Sequence, residues 1–147
     1  MPAKVLVTGG LGYIGSHTSV ELIQQGFEII IVDDLSNSSI EVLEGINKIT
    51  GVIPEFIQLD IRNKEKTNQL FKDHAEIFGV IHFAASKAVG ESVNQPLAYY
   101  ENNLCTLIHL LQAIEEKGQA FSFIFSSSCT VYGQADQLPI TEMAPIK

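Results

Sequence analysis

Basic residues are scarce in this chain, and cysteines are scarcer. Nine lysines and arginines stand against 17 aspartates and glutamates, a net charge of −8. Such a chain is repelled by a phosphate backbone and by an anionic bilayer surface, so no nucleic-acid or membrane partner is expected. The two cysteines, Cys105 and Cys129, lie at no metal-ligand or redox spacing and read as small apolar residues rather than as a bridge; no metal site is expected. No apolar run approaches the roughly 20 residues of a membrane span. Met1-Pro2-Ala3-Lys4-Val5 leads straight into a strand-like run, with no signal peptide expected. Repeats, low-complexity tracts and linkers are missing too. What remains reads as a soluble cytoplasmic chain of 147 residues, 46% of them hydrophobic. That is one domain, able to bury roughly two-thirds of its unfolded surface.

Short apolar runs alternate with helix-like segments. Val5-Leu6-Val7, Ile29-Ile30-Ile31-Val32, Glu55-Phe56-Ile57-Gln58-Leu59, Gly79-Val80-Ile81-His82-Phe83 and Phe121-Ser122-Phe123-Ile124-Phe125 read as strands. Runs without polar alternation indicate strands covered on both faces, as in a parallel sheet. Helices are expected over 14–25, 39–49, 64–73 and 96–117. The alternation predicts an α/β fold, a doubly wound parallel sheet of Rossmann type in the order 3-2-1-4-5, ending after about the fifth strand. That strand would then be an apolar edge, a template for association. On the last helix, Leu97, Tyr100, Leu104, Leu107, Leu111 and Ile114 recur at spacings of three and four and are expected to face the sheet. Ile108 and Leu110 add apolar surface that could serve a second copy.

The strongest local signal is Val7-Thr8-Gly9-Gly10-Leu11-Gly12-Tyr13-Ile14-Gly15, where the first strand gives way to the first helix. A tight turn needs backbone angles that side chains forbid. A pyrophosphate must meet the backbone with no Cβ between, and the helix must pack close to the strand. Free amides and the positive end of the helix dipole then face the phosphates, so an acidic protein can still hold an anion. Asp33, at the end of the second strand, follows Gly15 at close to the roughly 20-residue spacing of an acidic ribose ligand. Its carboxylate can accept ribose hydroxyls and repels a 2′-phosphate, which favours NAD over NADP.

The Gly-x-x-Gly-x-x-Gly spacing resembles the short-chain dehydrogenase/reductase superfamily. Four stretches narrow the resemblance to its extended branch, the UDP-glucose 4-epimerase family. They are Gly9-Gly10-Leu11-Gly12-Tyr13-Ile14-Gly15-Ser16-His17-Thr18, Asp33-Asp34-Leu35-Ser36-Asn37-Ser38, His82-Phe83-Ala84-Ala85-Ser86-Lys87-Ala88-Val89-Gly90-Glu91-Ser92 and Ser126-Ser127-Ser128-Cys129-Thr130-Val131-Tyr132-Gly133. The resemblance implies an NAD-dependent enzyme that interconverts UDP-glucose and UDP-galactose through a 4-keto sugar, in a parent protein that is a homodimer. Residues 1–147 would be an incomplete NAD-binding domain, without the substrate domain. A sibling nucleotide-sugar dehydratase or decarboxylase, or a non-catalytic NAD-binding module, is the alternative.

By position, the resemblance implies that Gly9, Gly12, Tyr13, Ile14 and Gly15 meet the pyrophosphate. Asp33 holds the adenosine ribose, with Asp34, Leu35, Ser36, Asn37 and Ser38 on the same loop. Asp60 and Ile61 line the adenine. Phe83, Ala84, Ala85, Ser86 and Lys87 run beside the cofactor, and Asn102 contacts its nicotinamide side. Ser128 is the implied catalytic serine on the sugar's 4-hydroxyl, with Thr130 and Tyr132 near the substrate. By residue type alone, Lys87, Glu91 and Ser92 form a solvated loop, and the serines end a strand. His17, His74, His82 and His109 read as structural, Tyr99 and Tyr100 as helix packing, and Asn102 and Asn103 as exposed helix polars. The family's proton-transfer pair, Tyr-x-x-x-Lys, has no match: His17 follows Tyr13 at that spacing, Asn103 follows Tyr99, Leu104 follows Tyr100 and Asp136 follows Tyr132. The pair is expected beyond Lys147, so this chain alone is expected to be inactive.

Overall fold

The computed structural model describes residues 3–118, 121–134 and 137–146, and of Cys129 the backbone alone. Five parallel strands form one sheet in the order β3-β2-β1-β4-β5. The strands are β1 (Lys4–Thr8), β2 (Glu28–Asp33), β3 (Glu55–Gln58), β4 (Ile77–His82) and β5 (Ser122–Phe125). Connecting helices are α1 (Tyr13–Gln24), α2 (Val42–Thr50), α3 (Lys64–Asp73), α4 (Val89–Asn94), α5 (Pro96–Tyr100) and α6 (Thr106–Lys117).

Pleating explains why the strand sequences are apolar throughout. Leu6, Ile30, Val32 and Val80 point to one side, where Leu70 and Phe71 of α3 and Leu110 and Ala113 of α6 cover them. Val5, Val7, Ile29 and Ile31 point to the other, onto Val20 and Ile23 of α1 and Ile46 of α2. Each wholly buried Ile or Leu of these layers contributes about 2 kcal/mol through lost water contact. The doubly wound arrangement expected from the sequence is therefore the one observed. β5 is the edge, with Ile124 and Phe125 exposed.

Three local expectations are corrected. Helix α2 begins at Val42, after a turn over 39–41 in which the Ser39 carbonyl accepts the Val42 N–H. The short α4 is an addition to the expected elements. The expected 96–117 helix is interrupted by a π turn, Glu101–Cys105, between α5 and α6. Its sheet-facing residues are Thr106, Leu110 and Ala113; of the expected stripe Ile114 packs against the core, while Leu97, Tyr100, Leu104 and Leu111 are exposed, as is Ile108. The small Thr106 and Ala113 let the helix lie close to the sheet, and the more apolar stripe is left outward. Cys105 is a free, half-buried thiol; the expectation for the Cys129 side chain lies outside the described residues.

The strand order places β1 between β2 and β4, so the crossovers diverge at the carboxyl end of β1. Open α/β sheets bind ligands in the crevice formed there.

Candidate functional site

At that crevice Gly9 adopts a left-handed backbone, with φ +64°. A Cβ on Gly9 would stand 2.7 Å from the Ala84 nitrogen, and one on Gly15 would stand 2.2 Å from the Gly9 carbonyl oxygen. The turn is thus packed between α1 and the loop after β4, and only glycine fits either place. Gly12 N-caps α1 without a side chain, and the first turn carries no acidic residue. The N–H groups of Tyr13, Ile14 and Gly15 consequently lack intrahelical acceptors and point with the helix dipole toward the crevice. Tyr13 is 78% exposed. These features fit the pyrophosphate of a dinucleotide, which needs backbone donors at close range and no Cβ in the way.

Asp33 is buried beside this turn. Its Oδ2 accepts the Leu11 N–H at 3.1 Å, and its Oδ1 accepts the Leu35 N–H at 3.0 Å and the Ser38 hydroxyl at 2.7 Å. One carboxylate therefore ties the glycine turn to the loop over 34–38. Asp34 accepts from the Ser36 N–H and hydroxyl, at 2.9 and 2.6 Å. Leu35 is left-handed, with φ 63°, and Asn37 is exposed.

The remaining candidates sit after the carboxyl ends of the other strands. Asp60 and Ile61 follow β3, and the backbone next to them is held by the Leu59 N–H donating to the Asp33 carbonyl. Phe83, Ala84 and Ala85 follow β4, with Lys87 exposed beyond them. Ser86 is clamped by the π turn of the same crossover. Its N–H donates to Asn103 Oδ1 at 2.8 Å, its carbonyl accepts Asn103 Nδ2 at 2.9 Å, and its hydroxyl accepts Asn102 Nδ2 at 3.0 Å. Ser128 follows β5 and caps a 3₁₀ turn, Cys129–Tyr132, its Oγ lying 2.6 Å from Thr130 Oγ1. Tyr132 is half-buried in the same turn.

A family model described as GDP-mannose 4,6 dehydratase matches residues 6–147. A UDP-glucose 4-epimerase of Klebsiella pneumoniae is 50% identical over 95% of this chain and 99% of its own length. The UDP-glucose 4-epimerase of Bacillus subtilis is also 50% identical, over 97% of this chain but only 41% of its own length. The crystal structure of a UDP-glucose 4-epimerase from Stenotrophomonas maltophila, with bound NAD and formylated UDP-arabinopyranose, superposes with a TM-score of 0.90 at 49% identity, covering 99% of this chain and 43% of that one.

The chain belongs to the UDP-glucose 4-epimerase family.

It spans less than half the length of the Bacillus subtilis and Stenotrophomonas members. Within the epimerase family's fold, further side chains shape the site. Asn103, by residue type an exposed helix polar, clamps both backbone groups of Ser86. The π turn makes this possible by presenting two consecutive asparagines to one loop, and π turns recur at functional sites. Tyr99 does more than the packing expected of it. Its hydroxyl donates to Glu91 at 2.8 Å and accepts the Ala88 N–H at 3.1 Å, fixing the Lys87–Ala88 segment.

His82 is structural, and its surroundings give that a consequence. It ends β4 opposite Thr8, with its Nδ1 2.6 Å from Thr8 Oγ1 and its ring stacked on Phe125. The pair joins the carboxyl ends of β1 and β4. Burial pushes the His82 imidazole down to about 4 from an ordinary 6.5. Between those two values the unfolded chain binds a proton that the folded chain refuses, so stability falls as the pH drops through this window and His82 has no effect above it. The expected loss is about 3 kcal/mol across the window. Urea unfolding from pH 7 to 4 should show this loss in the native chain and a shallower slope in His82→Gln; equal slopes would refute the assignment.

Proposed function

We propose that this chain is the NAD-binding domain of an epimerase that interconverts UDP-glucose and UDP-galactose through a 4-keto sugar. The observation that carries the proposal is the glycine turn, closed to any Cβ at Gly9 and Gly15 and joined through Leu11 to the Asp33 carboxylate. The family's members support the choice of ligand. The Stenotrophomonas enzyme holds NAD, and a Bifidobacterium longum UDP-glucose 4-epimerase was crystallised with NAD+ and UDP.

On this reading Gly9, Gly12, Tyr13, Ile14 and Gly15 receive the pyrophosphate. Asp33 takes the ribose hydroxyls, with 34–38 as its loop, and Asp60 and Ile61 bound the adenine. Phe83, Ala84, Ala85, Ser86 and Lys87 flank the nicotinamide half with Asn102. Bound NAD supplies the acceptor and donor of the hydride. Ser128 hydrogen-bonds the sugar's 4-hydroxyl, while Thr130 and Tyr132 line the sugar. The tyrosine base and its lysine come from the further length that the family's longer members carry. The parent protein works in the cytoplasm as a homodimer, and the exposed stripe of Leu97, Tyr100, Leu104, Ile108 and Leu111 supplies the apolar face that such a contact buries.

Calorimetric titration tests the proposal. NAD should bind at least about tenfold more tightly than NADP, a difference of about 1.4 kcal/mol. Comparable or tighter binding of NADP would overturn the Asp33 argument. Measurable epimerisation of UDP-galactose by this chain alone would overturn the assignment of the base elsewhere.

A further inference from the structure

The segment between β4 and α4 carries Lys87, and little packing holds it. Residues 87–91 are all exposed, and α4 buries no residue. Val89 and Val93 are each 76% exposed. A stretch without apolar anchors opens locally at low cost unless polar contacts tie it down. The ties come from α5 and the π turn. Asn103 Nδ2 donates to the Ser86 carbonyl at 2.9 Å, and the Tyr99 hydroxyl accepts the Ala88 N–H at 3.1 Å. Tyr99 and Asn103 are four residues apart and share a helix face.

The two contacted groups stand on either side of Lys87. The Ser86 carbonyl belongs to the peptide plane that enters this residue, and the Ala88 N–H belongs to the plane that leaves it. A residue has only two soft backbone dihedrals, so fixing both planes fixes the direction in which the Lys87 side chain departs. Its ammonium makes no hydrogen bond or ion pair among the described residues. The Tyr99 hydroxyl is itself oriented. Its proton goes to Glu91 Oε2 at 2.8 Å, which leaves an oxygen lone pair for the Ala88 N–H. Desolvation, the Glu91 hydrogen bond and the Glu91 charge push the phenol above its usual value, so it stays a donor at neutral pH. A proton-transfer tyrosine needs the opposite shift.

We propose that Tyr99, oriented by Glu91, is a positioning residue for Lys87, locking the peptide plane after it so that the ammonium is presented to the nicotinamide half of the bound dinucleotide. The proposal rests on the NAD reading above. An ammonium already in place need not be ordered on binding, and ordering a flexible segment weakens affinity.

The test is titration with NAD and with ADP, which lacks the nicotinamide half. Tyr99→Phe keeps the ring and removes both hydrogen bonds. It should weaken NAD about fivefold and leave ADP within about twofold of native. Glu91→Gln still offers the hydroxyl an acceptor and should bind NAD within about twofold of native, whereas Glu91→Ala should resemble Tyr99→Phe. In a Lys87→Met background, Tyr99→Phe should change NAD binding by less than about twofold, because the two residues act as one unit. Equal losses for NAD and ADP, or losses that multiply when Tyr99→Phe and Lys87→Met are combined, would make Tyr99 merely structural and overturn the proposal. So would native NAD binding by Tyr99→Phe or by Lys87→Met, or a Glu91→Gln chain as weak as Tyr99→Phe. In each of those cases a native chain that binds NAD leaves the NAD reading standing, whereas a native chain that binds neither ligand overturns that reading and this proposal together.

Discussion

Gly15→Ala is expected to remove dinucleotide binding, weakening NAD by at least ~100-fold as the phosphate donors are displaced, and to destabilise the chain by about 3 kcal/mol. The new Cβ would lie 2.2 Å from the Gly9 carbonyl oxygen and 2.8 Å from the Gly10 Cα. Both are backbone atoms, and neither can turn aside as a side chain would. Gly9 is itself blocked, since Ala84 lies behind it and its N–H donates to the Val32 carbonyl at 2.8 Å. Helix α1 must therefore back away from the sheet, taking Tyr13 and Ile14 with it.

Gly12→Ala separates the two consequences. Gly12 has an ordinary φ of −71°, and a Cβ there meets nothing closer than the Gly9 oxygen at 3.2 Å. Its fold should survive while the methyl group intrudes on the phosphates. Gly45→Ala provides the control. It lies on the exposed side of α2 with open space around it, so alanine should stabilise the chain by about 1 kcal/mol through helix propensity. Chemical unfolding of the three variants, paired with NAD titration, checks the pattern. A Gly15→Ala chain that melts and binds like the native one would remove the physical basis of the site.

The features legible in the sequence were those that a local constraint writes into consecutive residues. The glycine turn shows because three separate steric demands fall within seven residues, from Gly9 to Gly15. The strands show because each is apolar on both pleats, as Ile30 and Ile31 are on opposite faces of β2. What stayed hidden depends on partners far apart in the chain. Thr8 with His82, Asn103 with Ser86 and His109 with Ile61 are side-chain meetings that only the folded sheet creates. The last helix misled for a different reason. Counting apolar residues selected a stripe that is outward except at Ile114, because the inward stripe uses the small Thr106 and Ala113 around Leu110, and the π turn shifts the helix's phase where no proline or glycine announces it. The Asp60–Arg62 pair lies between these cases. Its members are two residues apart, but Asp-Ile-Arg gives no sign that the two side chains close on each other.

Asp33 carries the second large effect, and here structure and ligand compete for one carboxylate. Asp33→Ala leaves the Leu11 and Leu35 N–H groups and the Ser38 hydroxyl without their acceptor. Leu11 is 2% exposed, so water reaches its N–H poorly, and the expected loss of stability is about 3 kcal/mol. Asp33→Asn should lose about half as much, because one oxygen still accepts while the new NH₂ group faces donors. Ser38→Ala removes a single donor, leaves both backbone contacts, and should cost under about 1 kcal/mol. Selectivity separates the two roles. In Asp33→Asn the charge that repels a 2′-phosphate is gone, so the NAD preference over NADP should shrink by about tenfold, whereas Ser38→Ala should leave it near native. Melting curves with and without each dinucleotide measure both quantities on the same samples. If Asp33→Asn loses stability as expected but keeps the native preference, the carboxylate serves only to join the glycine turn to its neighbouring loop, and the choice between the two dinucleotides must be made by another group.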